Sequence, residues 1–348
     1  MNQTLSTTEQ QLLDIIQTGF PLTARPFYAI GQRLGISETE VLTTLEALKT
    51  RQIIRQISAI FLGHALGFQT ALMSFQVPES RVDQAADFIS GHPGVSHNYL
   101  RAHAFNVWFT LSVPHDLDIQ QHVHTLARLT ACDQSLYLPG RKTFKRRVQF
   151  AVSPNLKEPT KPSHSSEPSS KMSRKITLSD EIQRGIMEAL QYDLPLTPTP
   201  FLDIARRFQV AEETFFDFLD FLKISRKMSR FAGILRHRHL GYTANAMVVW
   251  EVPADMVDEF GTYGAANPAI SHCYERVVYP QWPYNMYTMI HGTTAEETQS
   301  VIDDLVEKFP NTPHERLYSV REFKKQRVNF FDNAIYEWHR QWVCADNA

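Results

Sequence analysis

The chain has 348 residues, 43% of them apolar and 11% aromatic, enough to fill more than one hydrophobic core. A formal charge of −2 and a pI near 6.7 leave no chain-wide basic surface to hold a nucleic-acid backbone. Three scattered cysteines, Cys132, Cys273 and Cys344, suggest neither a disulfide framework nor a zinc or iron–sulfur site.

The chain opens on MNQTLSTTEQ, with neither the basic flank nor the apolar stretch of a leader. No later run approaches the roughly 20 apolar residues that cross a bilayer, so a cytoplasmic protein without membrane contact is expected. Ser6 and Glu9 form a capping-box pattern ahead of Leu12, Leu13, Ile15 and Ile16, which predicts an amphipathic helix over 6–18. A second helix is predicted over 27–34 and closed by Gly35; Ser37 and Glu40 open a third, carrying Val41, Leu45 and Leu48 at helical spacing. Residues 52–61 read as a β-wing, completing a winged helix-turn-helix over 1–65. Beyond it come a strand over 70–77, a helix from about Ser80, strands over 95–102 and 105–113, a helix from about Leu117 and strands ending at Phe150. That βαββαβ order over 66–152 predicts a ferredoxin-like sandwich. Residues 153–174, rich in Ser, Pro and Lys, predict a flexible linker.

The half of the chain after the linker repeats the half before it. LPLTPTPFLDIARRFQVAEETF (194–215) matches FPLTARPFYAIGQRLGISETEV (20–41), AISHCYERV (269–277) matches GVSHNYLRA (94–102), and FKKQRVNF (323–330) matches FKRRVQF (144–150). The expected fold class is therefore α+β: a tandem repeat of a winged helix-turn-helix plus a ferredoxin-like βαββαβ domain. The second copy divides into 175–240 and 241–335, with a tail at 336–348. The two sheets are expected to pack as a pseudo-dimer.

A DNA-recognition helix needs donors facing the groove. The third helix instead offers Glu38, Glu40 and Glu46, and its counterpart Glu212, Glu213, Asp217 and Asp220, so no DNA partner is expected. Phe215, Phe216, Phe218 and Phe221 in the counterpart suggest a packing or dimer surface, and with it a homodimer of the chain.

Strand alternation predicts Val95, His97, Tyr99 and Arg101 on one sheet face, and Ile270, His272, Tyr274 and Arg276 on its counterpart. Arginine clamps a carboxylate with paired hydrogen bonds, and histidine ligates iron or transfers a proton near neutral pH. The next turns differ between the copies, because the second inserts VVYPQWP (277–283). Trp108, Trp282, Tyr284 and Tyr287 offer flat walls suited to a macrocycle or to core packing.

The segments SHNYLRAHAFNVWFTL (96–111) and SHCYERVVYPQWPYNMYTMIHG (271–292) resemble the two subunit types of the siroheme decarboxylases, relatives of the Lrp/AsnC regulators. The resemblance spans nearly the whole chain apart from the linker. It implies decarboxylation of siroheme to 12,18-didecarboxysiroheme, toward heme d1 or heme b, with both subunit types fused. It implies no cofactor beyond the iron-tetrapyrrole substrate, and other heme-biosynthesis enzymes as partners besides siroheme. His103, His97, His272 and Arg101 become the catalytic candidates, and His103, His272 and His291 the candidate axial ligands of the substrate iron. Arg276, Tyr99, Tyr274, Trp108, Trp282, Tyr284, Asn106, Asn285, Lys145 and Lys324 become the substrate-binding candidates. An Lrp/AsnC-type ligand-responsive regulator and a non-catalytic heme-binding protein are the alternatives to test.

Overall fold

In the computed structural model, which describes residues 5–146, 177–236 and 244–347, each copy lays down the same order of elements. The first copy runs through α1 (Thr7–Thr18), α2 (Pro26–Leu34), α3 (Glu38–Thr50), β1 (Ile54–Phe61), β2 (Phe68–Gln76), α4 (Val82–Gly91), β3 (Val95–Arg101), β4 (Val107–Pro114), α5 (Ile119–Thr130) and β5 (Gln134–Arg146). The second repeats it as α6 (Asp180–Gln191), α7 (Pro200–Arg207), α8 (Glu212–Ile224), β6 (Met228–Leu235), β7 (Ala244–Trp250), α9 (Val257–Ala266), β8 (Ile270–Arg276), β9 (Met286–Gly292), α10 (Ala295–Lys308) and β10 (His314–Lys325). A last helix, α11 (Ala334–Trp338), continues into a wider turn over His339–Val343. The expected linker at 153–174 lies outside the described residues, as do residues 147–150 at the end of the first basic-aromatic strand. No described helix is long and apolar enough to cross a membrane.

Local chemistry sets the helix ends where the sequence predicts. Ser6 and Ser37 close capping boxes with Glu9 and Glu40, and Gly35 takes the left-handed φ of +69° that ends α2.

The described chain divides into two compact units, one formed by 5–66 and 177–236, the other by 67–146 and 244–347. In the first unit the expected wing is not a hairpin within one copy. β1 pairs antiparallel with β6, its counterpart, with Ile57 opposite Gly233. Each copy supplies a single strand here, so its backbone donors and acceptors find partners on the other copy's strand. Phe215 and Phe218 are fully buried in this unit, and Phe216 and Phe221 are half-buried against them. The aromatic residues of α8 therefore serve the packing role expected of them, within this unit.

The second unit replaces the expected pair of packed sheets with one closed barrel. Within each copy the order is that of a ferredoxin-like sheet, β5-β2-β4-β3 and β10-β7-β9-β8. Closure comes from the two long last strands. β5 pairs with β2 through Gln134–Pro139 and then with β8 through Gly140–Arg146. β10 likewise pairs with β7 through His314–Tyr318 and then with β3 through Ser319–Lys325. Joined in this way, neither sheet keeps an unpaired edge.

Helices cover the outside of the barrel. Ala246, Val248 and Trp250 of β7 pack with Phe260 of α9 and Ile302 of α10, so the alternate residues Met247 and Val249 face inward. There they meet Phe105, Trp108, Leu136, Leu138, Trp282, Tyr287 and Leu317 in an interior cluster drawn from both copies.

The expected C-terminal tail is part of this unit. Three imidazoles tie it to the outer helices of the first copy: His92 Nε2 lies 2.9 Å from His122 Nδ1, and His122 Nε2 lies 3.0 Å from His339 Nδ1. Trp338 packs on both His92 and His122, and Trp342 packs edge-on against Phe88. The Gly94 N–H donates to His92 Nδ1, which sets the proton order along the row: His92 donates to His122, and His122 donates to His339.

Candidate active site

β3 and β8 each carry a bulge near their start, between Val95 and His97 and between Ile270 and His272. The extra residue, Ser96 or Ser271, reverses the alternation at that point. Ile270 consequently packs with Cys273 among the outer helices, not beside His272 as simple alternation predicts, and Val95 is likewise fully buried at the equivalent bulge. Beyond the bulge the expected rows form. Asn98 donates to the Ala86 carbonyl of α4, which directs His97, Tyr99 and Arg101 inward. His97 stacks on Tyr99, and the Arg101 guanidinium lies 5.7 Å from the Tyr99 ring centroid. His272, Tyr274 and Arg276 repeat the set, with Arg276 between the rings of Tyr274 at 5.0 Å and Tyr287 at 5.4 Å.

Arg101 is buried and Arg276 half-buried, and neither meets a carboxylate among the described residues. Arg101, 6% exposed, donates through Nη1 to the Leu317 carbonyl, and Arg276 does the same to Leu138 at 2.6 Å. Nε of each has no hydrogen-bond partner among the described residues. Burial lowers the pKa of both, that of Arg101 to about 10, opposed only by neighbouring tyrosines. A buried cation without a counter-ion is costly, which makes each guanidinium a candidate anchor for an anionic ligand.

The same inner face carries an imidazole group at the other end of the rows. Burial pushes His272 down to about 3, reinforced by His291, Arg146, His97 and Arg276. Burial and then Lys325 push His291 down to about 4. Both rings are therefore neutral at physiological pH. Ser271 Oγ lies 2.8 Å from His272 Nδ1 and 2.8 Å from His291 Nε2, while His291 Nδ1 lies 2.6 Å from Asn245 Oδ1. His291 thus has both nitrogens engaged within the protein, and His272 keeps Nε2 for another partner.

His103 sits in the turn after β3. Its Nδ1 accepts from the Phe105 N–H, and its Nε2 lies 3.2 Å from Glu315 Oε2 on β10. Its ring packs edge-on against Trp282. Burial, and then the nearby Glu315 carboxylate, push the Tyr284 hydroxyl up to about 12. A cleft of about 440 Å³ opens beside Arg101, His103 and Asn106. Sequence reasoning missed Glu315. The interstrand register aligns it with Leu136 of the first copy, in a stretch where the two strands share few residues besides Leu138/Leu317, Phe144/Phe323 and Lys145/Lys324, so the repeat itself does not single it out. Ser271, Asn245 and Arg146 were missed as well, because each joins the site through a register that the linear pattern does not carry.

Other predicted residues have partners elsewhere. Lys324 donates to the Ser90 and His92 carbonyls at the end of α4, and Lys145 to the Asn267 carbonyl after α9. Asn106 and Asn285 each bond both backbone groups of one residue, Val77 and Val252, and so fix the strand ends. Trp108 and Trp282 pack on each other inside the barrel, their N–H groups bonded to the Phe105 carbonyl and the Tyr287 hydroxyl.

Two families match the chain in alternation. Residues 65–145 and 239–324 match the AsnC-like ligand binding domain, and residues 9–55 and 183–228 match the siroheme decarboxylase NirDL-like HTH domain. The chain is 34% identical over 336 residues to a siroheme decarboxylase of Hydrogenobacter thermophilus, covering 96% of this chain and 98% of that protein. A siroheme decarboxylase alpha subunit of Desulfovibrio desulfuricans is 44% identical over 148 residues, 42% of this chain and 85% of that one. The crystal structure of the siroheme decarboxylase NirDL in co-complex with an iron-uroporphyrin III analogue superposes with a TM-score of 0.73 at 30% identity, covering 97% of this chain and 99% of that one.

Proposed function

Because the chain belongs to the siroheme decarboxylase family, we propose that it removes the carboxyl groups of two acetate arms of siroheme, giving 12,18-didecarboxysiroheme for heme d1 or heme b synthesis. In this reading it is a carboxy-lyase in which the two subunit types are fused. The observation that carries it is the pair of guanidinium groups, Arg101 and Arg276, held on the inner barrel face with no carboxylate of the described residues beside them. A solved relative in complex with an iron-uroporphyrin III analogue supports the same class of ligand.

The chemistry at each arm is redox-neutral. The bond between the methylene carbon and the carboxylate breaks, CO2 leaves, and the electron pair stays on the methylene carbon beside the ring, where one proton converts it to a methyl group. Arg101 and Arg276 hold carboxylates of the macrocycle in place by paired hydrogen bonds. His272, neutral and with Nε2 open, is the axial ligand of the substrate iron. His103, whose Nδ1 accepts from Phe105, delivers the proton from Nε2 by turning it from Glu315, 3.2 Å away, to the substrate, since its turn borders the cleft that reaches Arg101. Tyr99 and Tyr274 lie under the guanidinium groups and keep them from folding away.

Anaerobic incubation of the purified chain with siroheme, with the product weighed by mass spectrometry, tests the proposal. Loss of two CO2 per macrocycle is expected. Tight binding of siroheme with no loss of mass would replace the enzyme with a carrier.

A further inference from the structure

We infer that Asn245, His291 and Ser271 form a polar relay that locks His272 in the tautomer protonated on Nδ1, leaving its Nε2 lone pair to the barrel interior. These three are positioning residues, and what Nε2 meets there rests on the siroheme reading above.

Counting protons along the row fixes their order. Asn245 Oδ1 is an acceptor, so at 2.6 Å the proton between it and His291 belongs to His291 Nδ1. A neutral imidazole has one N–H, which makes His291 Nε2 an acceptor, and the atom facing it at 2.8 Å is Ser271 Oγ. Ser271 therefore spends its single proton on His291. The competing acceptor, the Met289 carbonyl, is farther from Oγ at 3.4 Å. With its proton used, Ser271 can only accept from His272, 2.8 Å away, so the proton of His272 sits on Nδ1. Among the described residues no group is hydrogen-bonded to His272 Nε2.

The first copy lacks the relay. Its bulge serine is kept, with Ser96 Oγ 2.9 Å from His97 Nδ1. At the positions paired as Asn245 and His291 in β7 and β9, however, β2 and β4 carry Thr70 and Ser112, whose hydroxyls lie 2.8 Å apart. Either hydroxyl can donate to the other, so no proton order passes down this side. The two copies thus differ at one function: the relay defines the state of His272 and leaves that of His97 undefined by the same route.

Long-range proton–nitrogen NMR of the full chain labelled with 15N-histidine, without substrate, reads the tautomer directly. The His272 signals are assigned by their loss in His272→Gln. The proton of His272 is expected on Nδ1 in the natural chain. Ser271→Ala should release it to a mixture or to Nε2, and Ser271→Thr, which restores a hydroxyl, should return it to Nδ1. Asn245→Leu, which removes the acceptor that starts the relay from a different strand, should act like Ser271→Ala if the alanine variant fails to fold. A natural chain with the His272 proton on Nε2, or a tautomer indifferent to both Ser271→Ala and Asn245→Leu, would overturn the inference. In turnover, Ser271→Ala should lower kcat by about tenfold or more with less change in KM, as for other residues that orient a ligating imidazole, and Ser271→Thr should recover it. The expected tautomer pattern in a chain that releases no CO2 would support the relay and reject the siroheme reading.

Discussion

Acidification from pH 7 to pH 5 should loosen the C-terminal segment before the rest of the barrel. The latch is the row His92, His122 and His339, whose hydrogen-bond order requires neutral rings. Burial, and then His339, push His122 down to about 4, only partly opposed by Asp118; burial likewise holds His92 well below the usual histidine range. With the segment released, His122 is uncovered on α5 and titrates toward the ordinary histidine value near 6.5. The released state then binds more protons throughout the window from about 6.5 down to 4. Stability from this group is complete above the upper value and is lost as the pH falls through the window. For His122 alone, the two values give a loss of about 2 kcal/mol between pH 7 and pH 5, or roughly twentyfold more of the open form, and His92 adds to it with the same sign. Hydrogen exchange of the amides over 334–343, corrected for the intrinsic pH dependence of exchange, reads the opening. His122→Gln should be less protected at pH 7 and should lose much of the pH response. Equal corrected protection at both pH values in the natural chain, or an undiminished response in His122→Gln, would rule out a histidine latch.

Replacing Arg101 or Arg276 by Met should raise KM for siroheme tenfold or more, and because it removes a buried charge with no counter-ion, it should leave Tm unchanged or higher; a fall in Tm without a change in KM would make these arginines structural. His103→Ala should cost about a hundredfold or more in kcat with the fold intact, and Glu315→Gln a smaller part of that, both seen in single-turnover release of CO2. Gly94→Ala should destabilise the second unit by about 1–3 kcal/mol in denaturant melts, since a Cβ at that position falls 2.1 Å from the Ser112 carbonyl oxygen. Gel shifts at low salt should show no duplex-DNA binding, because α3 and α8 present Glu38, Glu40, Glu46, Glu212, Glu213, Asp217 and Asp220 where phosphate contacts are needed.

The duplication, the capped helices and the His-Tyr-Arg rows are legible in the sequence because each depends on spacing along a single segment. A capping box needs four residues, and a strand face needs only a period of two. The bulges at Ser96 and Ser271 are not legible, since one inserted residue reverses a face without changing the composition around it; this is why simple alternation sets Val95 and Ile270 beside the histidines and the folded chain does not. Pairings between distant segments are hidden for a related reason. Nothing local to β1 announces that its partner is β6, and nothing local to β5 or β10 announces that each leaves its own sheet halfway along and closes a barrel on the other copy's. From that closure come two features of the site, guanidinium groups that meet no acid among the described residues and Glu315 set beside His103; the row from Asn245 to His272 comes instead from the register of β7, β9 and β8 within the second copy's own sheet. The order of amino acids alone settles which chemical groups this protein owns and, beyond the bulges, which strand face shows them. Their neighbours are settled in the folded chain and nowhere earlier, because burial, charge and proton order arise between segments that the sequence keeps far apart.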